Sequence, residues 1–548
     1  VKIARLIGAA GSGKTTELLR IMEGALPKLG GDPLRLGFAS FTRAARAEAV
    51  SRAAAAWNVP PSLLDGEGWF RTIHSTAKRC LGIGPGQLIG GAAADAEWIS
   101  NALGVRVSTS LDEDTGRQKF VGGQEGAALD CWALARNTLQ PLEEVVRKMR
   151  RLDDDVPDYA AVVRIAERYE MAKRVEDRLD FCDLLLRFSG FHLHAVDGVQ
   201  RVAAEGELPP VSAWLFDEQQ DASPLLDAAC KRLVSAESVK WCYVVGDPFQ
   251  AIFGFAGSSS ECFLGWPAEK ERTMPKSYRC PKPILELGEV CLRRMYRGYF
   301  DRKVAPADHE GRLFDCDLDL PINVAKPDES WLFVSRTNYE ASRLYAALHA
   351  AGKPAKWVTQ QDGATSRTTG LAALYALEKG QHVSGKEWGR AVELLPCTNK
   401  AKEPILERGI KTGWAKKHAD EWDVIFPNDL ANVGATQPLI DQIRTGKWCG
   451  LVDRGEEWRR HAEKWGPDLV ANTKIRVGTV HSVKGMEADN VALLTTIGKR
   501  VEQGREDCHD QHDEECRIAY VGVTRARRNL YIVNEGRHGK PVPRMEVL

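Results

Sequence analysis

The chain has 548 residues, 43% of them hydrophobic and 27% charged, enough for about three or four domains with ordinary cores. Lys+Arg and Asp+Glu both number 75, so the formal net charge is zero; any nucleic-acid surface must be a local patch or channel. Thirteen scattered cysteines without a C-x-x-C pair argue against a disulfide framework or a zinc ribbon. No apolar stretch is long enough to span a bilayer, so a cytoplasmic protein is expected, and the Ala/Arg/Gly-rich composition suggests a bacterial or phage source.

Ile3 to Ile7 reads as a buried strand, and residues 15–29 as a helix with Leu18, Leu19, Met22 and Leu26 on one side. A second strand over residues 34–41 precedes an Ala/Arg/Glu-rich helix over 43–56. Strand alternating with helix implies a parallel sheet. From about residue 85, glycine-rich turns lead into mostly helical sequence up to about Phe188. Strands return at 212–216 and 240–245. A second series follows, with a strand at 331–335, a helix at 338–350, and strands at 474–480, 490–495 and 530–533. Between about 363 and 470 the chain is again mainly helical and holds six tryptophans, Trp388, Trp414, Trp422, Trp448, Trp458 and Trp465, expected as core anchors. The reading is α/β, with two parallel-sheet units each interrupted by a helical insertion.

Gly8-Ala9-Ala10-Gly11-Ser12-Gly13-Lys14-Thr15 fits G-x-x-x-x-G-K-[ST] in full, between a strand and a helix. Its glycines let backbone N–H groups curl around phosphate oxygens, and the helix N-terminus favours negative charge. Gly8, Gly11, Gly13, Lys14, Thr15 and Thr16 are the candidate ATP-binding residues. Lys14 is expected to reach the β- and γ-phosphates, and Thr15 to hold Mg²⁺. Such a site needs a carboxylate at a strand end. Trp214-Leu215-Phe216 runs into Asp217-Glu218-Gln219-Gln220-Asp221. Asp217 is placed to hold Mg²⁺, and Glu218 to polarise the attacking water as general base.

In combination these segments resemble a superfamily 1A helicase of the UvrD/Rep/PcrA type. The resemblance continues through Phe41-Thr42-Arg43, Thr72-Ile73-His74-Ser75, the run from Gly246 to Phe255, Tyr278-Arg279, Arg336-Thr337-Asn338, the run from Thr479 to Glu487, and the run from Glu515 to Ala526. It implies two RecA-like (P-loop NTPase) domains with ATP between them. The expected limits are 1–85 with 186–270 for the first and 271–362 with 470–548 for the second, with helical insertions at 86–185 and, reduced, at 363–469. It implies that Gln250 senses the γ-phosphate, that Tyr278 stacks on adenine, that Arg279 and Arg525 reach the γ-phosphate, and that Glu487 contacts the ribose. For DNA it implies stacking on Phe41, Phe253 and Phe255, and polar contacts from Thr42, Arg43, His74 and His481. The expected activity is Mg²⁺-dependent ATP hydrolysis driving 3′→5′ movement along single-stranded DNA or a tailed duplex, alone or with replication, repair or nuclease partners. A nucleotide-dependent DNA-binding switch and the motor subunit of a helicase-nuclease are the alternatives.

Three departures stand out. Only seven residues precede Gly8, without the glutamine-bearing segment that reads adenine in this family, which leaves nucleotide selectivity open. Ala256 stands where the family carries an arginine. The run from Asn534 to Leu548 has no aromatic, so a strand-separating pin is not expected, and translocation is a firmer expectation than unwinding. Outside the motifs, Cys508, His512 and Cys516 match no standard zinc spacing and read as a polar loop. Arg293, Arg294, Arg297, Arg302 and Lys303 read as a solvated helix face, with phosphate tracking as the alternative. Asp180-Phe181-Cys182-Asp183-Leu184 reads as structural.

Overall fold

The computed structural model describes residues 1–40, 43–90, 93–111, 118–152, 155–359, 366–411 and 422–534. The chain forms two compact units. The first comprises Val1–Arg279 together with Leu292–Asp308 and Cys516–Tyr520; the second comprises Cys280–Cys291, His309–Glu515 and the chain from Val521 on.

The first unit is built on six strands: β1 (Lys2–Ile7), β2 (Leu36–Ser40), β3 (Trp69–Thr72), β4 (Ala213–Phe216), β5 (Trp241–Gly246) and β6 (Lys270–Thr273). They lie in the order β6-β1-β5-β4-β2-β3, all parallel. β2 and β4 are buried throughout, as strands covered on both faces must be. Alternate residues feed two cores: Leu215 packs with Leu18, Met22, Phe38 and Phe70 on one face, while Trp214 and Phe216 pack with Leu225 and Cys242 on the other. Gly37 is required by this packing, since a Cβ there would sit 2.4 Å from the Trp214 ring. Pairing sets Ile7 beside Gly246, and Phe216 beside both Ala39 and Val244. The carboxyl ends of β1, β5 and β4 therefore come out side by side, where open parallel sheets bind ligands.

Helices Ala93–Leu103, Gly123–Thr138, Leu142–Leu152 and Tyr159–Val175 form the first insertion, around Leu129, Trp132, Val162 and Tyr169. Beside this apolar core lies a buried ionic knot. Arg136 donates to Asp180 at 2.7 Å, and Lys173 donates to Asp180 at 3.0 Å and to Asp183 at 2.7 Å. Burial pushes the Asp180 carboxyl up, but Arg136 and Lys173 outweigh it and hold the group well below the usual range. Asp180 also caps helix Phe181–Ser189 with Asp183 at N3, the structural role expected of this segment.

The second unit carries β7 (Arg312–Cys316), β8 (Trp331–Ser335), β9 (Lys356–Trp357), β10 (Ile475–Thr479), β11 (Ala488–Leu494) and β12 (Ala526–Val533), in the order β7-β12-β11-β8-β10-β9 and again all parallel. Helix Asn338–Ala350 packs its Ala341, Leu344 and Leu348 into the core with Trp331, Phe333 and Val477. The second insertion closes around Trp388, Trp448 and Trp458, with Trp422 and Trp465 packed against it. These are core anchors, as expected; Trp414 lies outside the described residues. The α/β class with two parallel sheets and helical insertions is the expected one. The short strands β3, β6, β7 and β9 went unforeseen. β6, Lys-Glu-Arg-Thr, is polar and mostly exposed because it is an edge.

Candidate nucleotide site and nucleic-acid interface

β1 runs directly into the glycine loop, and Gly8 N–H donates to the Gly246 carbonyl at 2.9 Å, tying the loop to β5. Gly11 and Gly13 take left-handed φ values of 69° and 79°, which turn the chain into helix Lys14–Ala25. The loop is braced by Ser277-Tyr278-Arg279. Ser277 Oγ donates to the Ala10 carbonyl at 2.8 Å, and Tyr278 N–H donates to the Gly11 carbonyl at 2.8 Å. A Cβ on Gly11 would fall 2.2 Å from the Arg279 Cβ, and one on Gly13 would meet the Tyr278 ring at 3.7 Å. Tyr278 thus stands at the N-terminus of helix Lys14–Ala25 and is 68% exposed. Lys14 Nζ donates to the Gly8 carbonyl at 3.3 Å. Thr15 is half-buried and Thr16 is exposed.

At the end of β4, Asp217 N–H donates to the Ala39 carbonyl at 3.1 Å, extending the sheet by one bond. Glu218 follows with φ 53°, a left-handed conformation that costs a non-glycine residue and is concentrated at functional sites. The turn is held by Glu218 N–H donating to Asp217 Oδ1 at 2.9 Å and by Gln220 Nε2 donating to Glu218 Oε2 at 2.5 Å. It leaves Glu218 Oε1 3.9 Å from Lys14 Nζ. Burial, and then the neighbouring Glu218 charge, push the Asp217 carboxyl up to about 7, against the pull of Lys14. Two acids facing one ammonium leave a local shortage of positive charge. The Thr15 hydroxyl and the Asp217 carboxylate are the hard oxygen donors that Mg²⁺ prefers, so this site suits that ion.

The γ-phosphate sensor expected at Gln250 sits in a buried network centred on Asp247. Gln250 Nε2 donates to Asp247 Oδ2 at 2.8 Å, and Arg302 Nη1 donates to Oδ1 at 2.7 Å. The Tyr520 hydroxyl donates to Oδ2 at 3.1 Å and accepts from Ala10 N–H of the glycine loop at 3.1 Å. Asp247 N–H donates to Gln220 Oε1 at 3.0 Å, which leads to Glu218. Arg302 and Tyr520 were not foreseen as members. The sequence placed Arg302 on a solvated basic helix, but the helix ends at Arg293, and the Arg302–Asp247 side chains are fully buried. The aromatic pair Tyr299-Phe300, which packs on Phe249, was the available sign that this stretch turns inward.

Of the residues expected to stack on DNA, Phe255 is 47% exposed, whereas Phe253 is only 4% exposed. The rings meet edge to face at 6.0 Å, so Phe253 acts as a core support for Phe255. His74 is half-buried against Phe181, and burial pushes its imidazole down to about 4. Arg43 opens helix Arg43–Trp57; its side chain, like Phe41 and Thr42, lies outside the described residues.

In the second unit, His481 lies in the turn after β10, half-buried. Arg525 is buried, with Nε donating to the Val521 carbonyl at 2.9 Å and Nη1 to the Met486 carbonyl at 3.2 Å. Glu487 is exposed and pairs with Arg527 at 3.2 Å. His512 and Cys516 lie on helix His509–Val523, and among the described residues they join no cluster of metal-ligating groups.

Residues 3–270 match the UvrD/REP helicase N-terminal domain, and residues 464–535 match the UvrD-like helicase C-terminal domain. YjcD of Bacillus subtilis is 22% identical over 99% of this chain and 78% of its own length. The ATP-dependent DNA helicase UvrD2 of Mycobacterium tuberculosis is 25% identical over 73% of this chain and 58% of its own. The RecBCD enzyme subunit RecB from the same species is 30% identical over 32% of this chain and 16% of its own length. Both family matches fall on the parallel-sheet units that carry the motifs, and the chain belongs to the UvrD/REP helicase family.

Proposed function

We propose that this helicase couples ATP hydrolysis to 3′→5′ movement along single-stranded DNA. The observation that supports the coupling is the connected arrangement in the first unit; the polarity rests on the family resemblance. Glycine loop, Asp217–Glu218 turn and Asp247 network share the ends of three adjacent strands, and Asp247 is hydrogen-bonded toward both of the others, through Tyr520 to the loop and through Gln220 to the turn. Lys14 and Thr15 hold the triphosphate, and Thr15 with Asp217 would hold Mg²⁺, which supplies charge neutralisation at the phosphates when bound. Glu218 accepts the proton of the attacking water. Asp247 couples the phosphate loop through Tyr520 to Gln250 and the segment that carries Phe255. Phe255 is the stacking platform that this exposure supports. The roles of Arg279, Arg525 and Glu487 toward nucleotide, and of His481 toward DNA, rest on the family resemblance.

The test uses duplexes with a 3′ tail, a 5′ tail or none, following strand release and ATPase rate together with Lys14→Ala as control. Release confined to the 3′-tailed duplex is the expected result, and release from the 5′-tailed duplex alone reverses the polarity. DNA-stimulated ATPase without release identifies a translocase that does not unwind, and no stimulation by any DNA refutes the motor. Phe255→Ala is expected to weaken stimulation by single-stranded DNA while basal ATPase persists, with about 1–3 kcal/mol of stacking lost.

A further inference from the structure

Within the second unit, His349 near the end of helix Asn338–Ala350 meets Glu457 and His461 of helix Gly455–Trp465. Glu457 and His461 are four residues apart and so project from one helix face. One nitrogen or oxygen atom from each of the three residues lies within 4.8 Å of the other two. His461 is 3% exposed, and the His349 and Glu457 side chains are 10% and 28% exposed.

Proton accounting makes this cluster unusual. His349 Nε2 lies 3.4 Å from the Ala355 carbonyl and Nδ1 lies 2.7 Å from Glu457 Oε1; both oxygens can only accept, so the single proton of a neutral imidazole serves one of them and not both. The buried Nδ1 makes no hydrogen bond of good geometry to Glu457 despite the short distance. A cation held among the donors of the cluster would satisfy it. The His461 ring bonds to the His349 backbone, so each histidine is oriented by a main-chain group through one ring position. Histidines that bind metals are commonly fixed in this way.

We propose that His349, Glu457 and His461 form a binding site for a divalent transition-metal ion, Zn²⁺ by its two-imidazole, one-carboxylate donor set. Metal–ligand bonds of about 2.0–2.2 Å set tetrahedral donors roughly 3.3–3.6 Å apart, so His349 Nδ1 and Glu457 Oε1 must open from 2.7 Å, an adjustment within reach of side-chain rotation. A water completes the tetrahedron on the Glu457 side, where the cluster is open. The ion fastens the sheet-packed helix Asn338–Ala350 to the second insertion. A neighbouring contact, Trp465 Nε1 donating to the Gly352 carbonyl at 2.8 Å, already joins the same two segments. The other close triplet of acids, Glu170, Asp180 and Asp183, needs no ion because Arg136 and Lys173 neutralise it.

The test strips the nucleotide-free chain of residues 1–548 with chelator and titrates it with Co²⁺, reading visible ligand-field absorption and stoichiometry by dialysis, then repeats the titration with Zn²⁺ while following Tm. One equivalent with four-coordinate bands and a Zn²⁺-dependent rise in Tm is expected. Glu457→Gln, partly exposed and isosteric, is expected to weaken binding at least tenfold while the chain stays folded by circular dichroism; His349→Gln and His461→Gln are expected to abolish it. The double variant Cys508→Ser, His512→Ala, away from the cluster, is expected to bind as wild type. Wild-type affinity in Glu457→Gln and His349→Gln, or no Co²⁺ bound by the wild-type chain at micromolar concentration, overturns the site.

Discussion

The two sheets have the same number of strands and the same parallel sense, yet their carboxyl ends are furnished in opposite ways. In the first, buried acids and amides crowd the ends of β4 and β5: Asp217, Gln220, Asp247 and Gln250. Asp217 is left short of positive charge. In the second, the polar groups close on themselves. After β10, Ser482 Oγ donates to the Thr479 carbonyl at 3.0 Å and accepts from its N–H at 2.9 Å. After β8, Ser335 Oγ donates to the Thr337 carbonyl at 3.0 Å. A parallel sheet thus offers a place for chemistry, but the chemistry sits where polar groups are buried without being neutralised by their own loop.

The comparison breaks most visibly at Glu218. Glu218→Gln keeps the turn and its fold but removes the proposed base, and turnover is expected to fall about 10²–10⁴-fold with nucleotide binding intact, measured by DNA-stimulated ATPase against ATP titration. Next is the buried pair. Arg302→Met leaves Asp247 buried and charged and is expected to destabilise the chain by about 3–5 kcal/mol in denaturant unfolding; adding Asp247→Asn should restore part of that loss. The matching change in the second sheet, Ser482→Ala, removes a self-contained turn bond. It is expected to cost about 1 kcal/mol in unfolding and to leave ATP affinity unchanged, which sharpens the contrast.

One further effect, confined to acid pH, concerns His74. Its imidazole is held down at about 4, against 6.5 for the free group, so the unfolded chain takes up a proton first as the medium is acidified. The stability present above pH 6.5 is therefore lost as pH falls from 6.5 toward about 4. His74→Gln should flatten that acid limb in a pH series of thermal unfolding.

Local signals were legible in the sequence. The glycine loop, the Asp217-Glu218 pair, the apolar runs of β1, β4, β5 and β8, and helix Asn338–Ala350 each show in a few neighbouring residues. What stayed hidden depends on partners distant along the chain. Arg302 is 55 residues from Asp247, and Tyr520 is 273 residues from it. Nothing near Arg302 except the aromatic pair before it distinguishes a buried arginine from a solvated one. The polar edge β6 and the two-residue β9 are hidden for another reason: pairing with a neighbour, rather than their own composition, makes them strands. Phe253 and Phe255 show the limit most closely. Two residues apart in sequence, they differ only in which way the turn directs them.

The Asp247 network has a consequence for how the molecule is made. Tyr520 braces the glycine loop from 510 residues further along the chain, and Arg302 reaches the same carboxylate from a segment bordered on both sides by the second unit. During synthesis the loop and its acids emerge early, but their scaffold is incomplete until residue 520 has left the ribosome. A product truncated before Cys516 carries the whole glycine loop and the Asp217–Glu218 pair and still lacks the hydroxyl that joins Ala10 to Asp247. Excising residues 1–279 as a fragment would also strand Asp247 without its guanidinium. Competence to burn ATP is thereby reserved for chains that have been translated through residue 520.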